Sequence, residues 1–270
     1  MMHLPSEQLV HEIESSEIQY MLDRMTAIQS KAGNPEGIEM KHFGSTLCLY
    51  SERMPWAMFN TVKGMSSADA EYIDDIIAFY EARGRAVQFE LVPSRADHKL
   101  LKQLAKRGLY QSGFHNSLYV DSLQADMAHI PNSITIQELQ EDEFQLYAAI
   151  HCKGTGLPDN GVPYIAANNE IMYHRPGWKY FLAYDDQVPA AVGVMFIQGA
   201  VASLTFAATL PEYRGRGLQQ ALLKRRIWEA MERGCRLVVG QCAYLSQSHR
   251  NMERVGMKLG YIRTTWSKQD

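Results

Sequence analysis

Apolar positions recur at helical spacing over residues 7 to 30, where Ile13, Ile18, Met21, Leu22, Met25 and Ile28 form a broad stripe that predicts one long helix. Gly33-Asn34-Pro35-Glu36-Gly37 ends it. Aromatic and apolar runs at 40–50 and 56–62 predict strands. Ser66-Ser67-Ala68-Asp69 offers N-cap chemistry for a helix that runs through Ala82 and stops at Gly84. The apolar run 87–92 predicts a buried strand, Asp97 opens a helix reaching Arg107, and a strand returns at 110–120.

A polar stretch at 121–132, closing on Pro131, is the best boundary in the chain and divides it into domains 1–125 and 132–270. The second domain opens with a strand at 133–139 and a helix capped by Asp142 and reaching about residue 152. Residues 151–169 are glycine-rich and irregular, which suits a loop serving either as a substrate lid or as a plain connector. Strands at 179–184, 190–197 and 201–209 form an antiparallel meander, with turns at Asp185-Asp186-Gln187 and Gln198-Gly199-Ala200. Leu223, Ile227, Ala230 and Met231 then share one helical face, and Gly234 supplies the stop. A strand at 237–242, a helix at 247–255, Gly256 and a last strand complete the pattern.

The order helix, strand, helix, glycine, strand occurs twice, at 69–120 and from 217 onward, which predicts an internal repeat of one half-fold. The fold class is therefore α/β (α+β), with mixed, mainly antiparallel sheet flanked by helices.

Composition narrows the class of function. The chain has 270 residues, 46% of them hydrophobic, and a net charge of −3, an ordinary globular balance that argues against nucleic acid as the main partner. No apolar run is long enough to predict a membrane span, and the first residues lack the basic and apolar segments of a signal peptide, so a cytoplasmic protein is expected. Cys48, Cys152, Cys235 and Cys242 are scattered without metal-site spacing, so reduced core thiols and no metal are expected.

The stretch with most chemistry is Pro211-Glu212-Tyr213-Arg214-Gly215-Arg216-Gly217-Leu218-Gln219, between a strand and a helix. The first amides of a helix lack internal partners and carry the positive end of the dipole. Gly215 and Gly217 permit a sharp turn and close approach of a ligand, and Arg214 and Arg216 add positive charge. A diphosphate is the natural guest of such a turn, although it matches neither the dinucleotide fingerprint nor the P-loop.

Arg214-x-x-Gly217 after Pro211, together with Ser248-His249-Arg250-Asn251-Met252-Glu253-Arg254-Val255-Gly256-Met257, resembles the GNAT superfamily of N-acyltransferases. The acyl-CoA loop of that family reads Arg/Gln-x-x-Gly-x-Gly/Ala, and Gln219 departs from it at the last position, as in a bacterial subgroup. The resemblance implies a GNAT domain at 132–270 that takes acetyl-CoA and transfers its acetyl group to an amine of a small molecule or protein. It implies that Thr209 and Leu210 offer backbone to the pantetheine arm, that Arg214, Gly215, Arg216, Gly217, Leu218 and Gln219 cradle the diphosphate, and that Asn251 reaches the pantetheine or its neighbouring backbone. Domain 1–125 resembles a degenerate copy. Thr61-Val62-Lys63-Gly64-Met65-Ser66 stands where the loop would be, without both arginines and the second glycine. That copy is expected to bind no acyl-CoA and to serve packing, homodimerisation or the shape of the substrate cleft.

The catalytic residues are less defined. The position at which many relatives keep a tyrosine acid is Met252, which leaves Tyr244 and Tyr261 as weak substitutes. The strand at 201–209 offers only Ser203 and Thr205 where a carboxylate base is usual; His151 and Asp159 in the loop could relay a proton through water, and His174 and His249 are no better placed. Ser248 is expected to cap the helix that follows. These gaps leave a second reading open, a non-catalytic acyl-CoA-binding or scaffold protein.

Overall fold

The computed structural model describes residues 4–122 and 131–268, so most of the linker expected at 121–132 lies outside the described residues. The chain divides into two compact units, one formed by residues up to Ser117 together with those from Leu259 onward, the other by Leu118–Lys258. The expected domains 1–125 and 132–270 thus differ from these units in one respect above all: the last strand belongs with the first half.

In the first unit, α1 (Glu7–Gln29) starts at Ser6, whose hydroxyl accepts from the Leu9 amide, and buries Ile13, Met21, Met25 and Ile28 as its stripe predicts. The single strand expected at 40–50 is instead a hairpin, β1 (Ile38–Phe43) and β2 (Thr46–Ser51), because Gly44 adopts φ +61° at its turn. The strand expected at 56–62 shrinks to β3 (Thr61–Lys63) after a short 3-10 turn. Ser66 caps nothing with its side chain, and residues 67–72 form a 3-10 stretch before α2 (Ile73–Glu81). Asp69 turns inward, where its carboxylate accepts from the Ser45 amide and the Ser45 and Thr46 hydroxyls and so ties down the hairpin turn. The unit continues with β4 (Gln88–Leu91), α3 (His98–Lys106), capped by Asp97, and β5 (Leu109–Asp121), which passes into the second unit after Ser117.

The second unit adds β6 (Ile134–Glu138), α4 (Phe144–Thr155), α5 (Val162–Glu170), β7 (Trp178–Asp185), β8 (Val188–Gln198), β9 (Val201–Thr209), α6 (Leu218–Glu232), β10 (Leu237–Cys242) and α7 (Gln247–Arg254). The chain then enters β11 (Lys258–Lys268). Strand order is β1-β2-β3-β4-β11-β5 in the first unit and β5-β10-β9-β8-β7-β6 in the second. In each, an antiparallel run (β1-β2-β3, β6-β7-β8-β9) leads into a parallel pair (β3 with β4, β9 with β10) whose crossover is a helix. The mixed, mainly antiparallel sheet expected from the sequence is present, as is the repeated half-fold.

Two expectations in the second unit fail. The glycine-rich segment 151–169 is mostly helical: α4 runs on through Lys153 and Gly154 to a left-handed Gly156, and α5 follows with a proline in its first turn. The helix start expected at Asp142 is instead made by Glu143, whose carboxylate accepts from the Gln140 amide at 2.8 Å. Each unit has its own core: Ile76, Tyr80, Phe89 and Leu104 in the first, Phe181, Met195, Leu222 and Ile227 in the second.

Candidate functional site

The β9–β10 ladder covers only Val201–Leu204 against Leu237–Gly240. Beyond Leu204, β9 continues to Thr209 without that partner, and a cavity of about 600 Å³ opens at this end. Ala207, Ala208 and Thr209 form one wall, the turn and first residues of α6 the second, and Ser246, Gln247, Ser248, Asn251 and Arg254 the third. β9 reaches this wall through a bulge: Ala207 faces Gly193 and Thr205 faces Val194, which leaves Phe206 as the extra residue.

α6 begins without a side-chain cap and with no acid in its first turn; its N-cap is Gly217 at φ +92°. The amides of Leu218, Gln219 and Gln220 therefore end the helix toward the cavity as a positive pole. Gly215, at φ +81°, has no heavy atom within 4 Å of where a Cβ would stand, so the turn is open on its ligand side. Such a cradle fits a diphosphate, and the structure brings Thr209, Arg214, Gly215, Gly217, Leu218, Gln219 and Asn251 together around it.

The other expected residues lie elsewhere. The Leu210 amide is bound to the Ala190 carbonyl at 2.9 Å, which removes it as a donor to a pantetheine arm. Arg216 turns away from the cavity to Asp185, at 2.9 Å, with its guanidinium over the Tyr213 ring. Arg214 does line the cavity, and its guanidinium donates to the Gly154 carbonyl at 2.8 Å. Tyr244 is exposed and outside the lining. Tyr261 belongs to the first unit, where burial raises its phenol far above the usual range. Neither tyrosine is positioned as an acid for this cavity.

Ser246, not Ser248, caps α7: its hydroxyl accepts from the His249 amide at 3.1 Å. The two serines stand two residues apart, and backbone geometry alone chooses between them. Ser248 is thereby free to accept from the Gln219 side-chain Nε2, while Asn251 donates to the Gln219 side-chain Oε1 at 2.5 Å. Gln220, Gln247 and Arg254 all donate to the Asn251 side-chain oxygen. Gln219, the departure from the loop pattern, thus joins α6 to α7 together with Gln220. Ser203 and Thr205 are buried, His151 stacks on Tyr147, His174 pairs with Glu141 in solvent, and the His249 ring accepts from the Leu245 amide. No carboxylate or imidazole lines the cavity among the described residues.

Sequence reading missed Gly154, whose smallness is needed because a Cβ would stand 2.8 Å from that of Ala208 and 3.0 Å from the Thr209 carbonyl. It also missed the packing of Arg226 beneath the Phe206 bulge. A glycine inside a helical run and an arginine on the apolar side of α6 were the available signals.

The sequence model of the Acetyltransferase (GNAT) family matches residues 136–257. No curated protein sequence matches the chain significantly. Among solved structures, a GCN5-related N-acetyltransferase from Kribbella flavida is similar over 96% of this chain and 95% of its own, with TM-score 0.71 and 16% identity. One from Sphaerobacter thermophilus covers 75% of this chain and 67% of its own, with TM-score 0.61 and 15% identity. A tandem GNAT protein from the clavulanic acid biosynthesis pathway covers 76% and 70%, with TM-score 0.57 and 15% identity. At these identities the likeness is one of fold, and the first of them extends it to both units. Among the described residues no helix is long and apolar enough to cross a membrane, and no group of side chains could hold a metal ion.

Proposed function

We infer, from a chain whose segment 136–257 belongs to the GNAT family of acetyltransferases, that the protein is an N-acyltransferase moving the acetyl group of acetyl-CoA to an amine. The observation that carries this reading is the uncapped start of α6, with Gly215 and Gly217 left-handed and Gly215 open, facing a cavity large enough for an extended ligand. Acetyl-CoA would bring the activated thioester; the chain supplies orientation and charge. The amides of Leu218, Gln219 and Gln220 take the diphosphate, and Arg214 adds a fixed cation beside it. The edge of β9 past Leu204, free of β10, offers strand backbone to the pantetheine arm, with Ala207 and Ala208 small enough to admit it.

With no carboxylate or imidazole lining the cavity among the described residues, the amine must arrive neutral and give up its proton through water. The rate should therefore rise with pH until it meets the acceptor's own pKa, without a second, enzyme-borne inflection near neutrality. The same observation favours the alternative reading, an acyl-CoA-binding or scaffold protein without turnover. Calorimetry with CoA, followed by thiol release on a panel of amines, separates the two. Heat of binding with turnover supports the transferase, binding without turnover supports the scaffold, and a folded protein with no heat at all overturns both.

A further inference from the structure

Among the described residues Arg226 is the largest fully buried side chain, 1% exposed, and no carboxylate there pairs with it. Burial alone draws its guanidinium down to about 10, so it stays charged at neutral pH. Its partners are all carbonyls: Nε donates to Leu222 at 3.1 Å, and Nη1 donates to Val194 at 2.9 Å and Thr205 at 3.2 Å. Gly193 leaves room for it, since a Cβ there would stand 3.1 Å from Cζ.

These contacts converge on one place. Val194 and Thr205 are register partners on one side of the Phe206 bulge, and Gly193 and Ala207 are partners on the other. A bulge disrupts the ladder, and a buried carbonyl left without a donor is costly. Nη1 answers both strands at once while Nε is anchored to the Leu222 carbonyl of α6, which a hydrocarbon side chain could not do. The next residues, Ala207, Ala208 and Thr209, are the β9 wall of the cavity.

We propose that Arg226 is a positioning residue for acyl transfer: its guanidinium locks the β8–β9 bulge and so holds residues 207–209 where the acyl-bearing arm must lie. The proposal rests on the transferase reading, and the experiment separates the two. In the full chain, Arg226→Met should lower kcat by about a hundredfold, the loss typical of a small misplacement, while CoA affinity stays within about twofold. Amide exchange at residues 205–209 should accelerate by about tenfold or more, with the rest of β8 and β9 unchanged. Arg226→Lys should recover part of the rate.

A folded Arg226→Met protein with wild-type kcat, or one whose whole loss lies in CoA affinity, would overturn the proposal. Should that variant not fold, Gly193→Ala decides, because it displaces the guanidinium without removing it. Lowered kcat with retained CoA affinity is then expected, and unchanged kcat refutes the lock. If the wild type turns over no amine, the transferase reading falls and amide exchange alone judges Arg226. Unchanged exchange in Arg226→Met would then sink the lock as well.

Discussion

Two turns in this molecule occupy the same place in a repeated half-fold, each between the first strand of a parallel pair and its crossover helix, and they have opposite contents. After β9, a three-residue 3-10 turn is followed by two left-handed glycines that open α6 and face about 600 Å³ of open space. After β3, the turn carries Lys63 and a single left-handed glycine, Gly64, and a six-residue 3-10 stretch runs directly into α2. The space beside it, about 10 Å³, holds at most a water molecule. Lys63 pairs there with Glu17 and Glu90, Arg263 from β11 joins the same two carboxylates, and Arg95 meets Glu14 at 3.0 Å. Three carboxylates and three cations close the first turn from within, while the second leaves its positive pole for something from outside.

The sharpest way to break this contrast is to empty the charged cluster. Arg263→Met removes one of two cations from the buried Glu17–Glu90 pair and should destabilise the first unit by about 3–5 kcal/mol, read by urea unfolding, with CoA affinity of the folded protein unchanged. Arg214→Ala should do the reverse, weakening CoA by about tenfold in calorimetry, as expected for loss of one charge-assisted contact, with little change in stability. Gly217→Ala and Gly64→Ala each place a Cβ at positive φ and should each cost about 1 kcal/mol in stability. Only the first should also weaken CoA, and equal effects on CoA would erase the distinction between the turns.

A titration sharpens the picture of the α6 scaffold. Burial would raise the Glu229 carboxyl, but hydrogen bonds from Arg233, Arg225 and Lys179 outweigh it and hold the group at about 2, against an ordinary 4.5. A depressed carboxylate contributes stability above its unfolded pKa and loses it as pH falls toward the folded one. The acid limb of stability between pH 4.5 and about 2 should therefore flatten in Glu229→Gln, checked by unfolding across that window. The smallest effect on CoA is expected from Arg216→Ala: its side chain is drawn away from the cavity to the buried Asp185 carboxylate, so calorimetry should read an unchanged CoA affinity.

Local pattern made much of this legible. The stripe of α1, the β7–β8–β9 meander and the glycine turn before α6 follow from spacing within one element and its neighbours, and they stand as expected. Gly154 misled because a glycine within helical sequence looks like a break, whereas here it answers the close approach of β9. Arg216 and Arg214 are indistinguishable by type and spacing, and only the position of Asp185 on β7 draws one of them aside. The Phe206 bulge and the Arg226 lock depend on pairings between distant strands, which no window along the chain contains.

The strand order β4-β11-β5 has a consequence for biosynthesis. The slot between two strands that leave the ribosome early is filled by residues 258–268, made nearly 140 positions after the end of β5. While the second unit is being translated, the first carries two unpaired strand edges and the half-assembled Lys63–Glu17–Glu90 cluster. Pulse proteolysis of stalled nascent chains should find the earlier-made unit digestible until β11 has emerged, so that this protein matures in the opposite order to its synthesis.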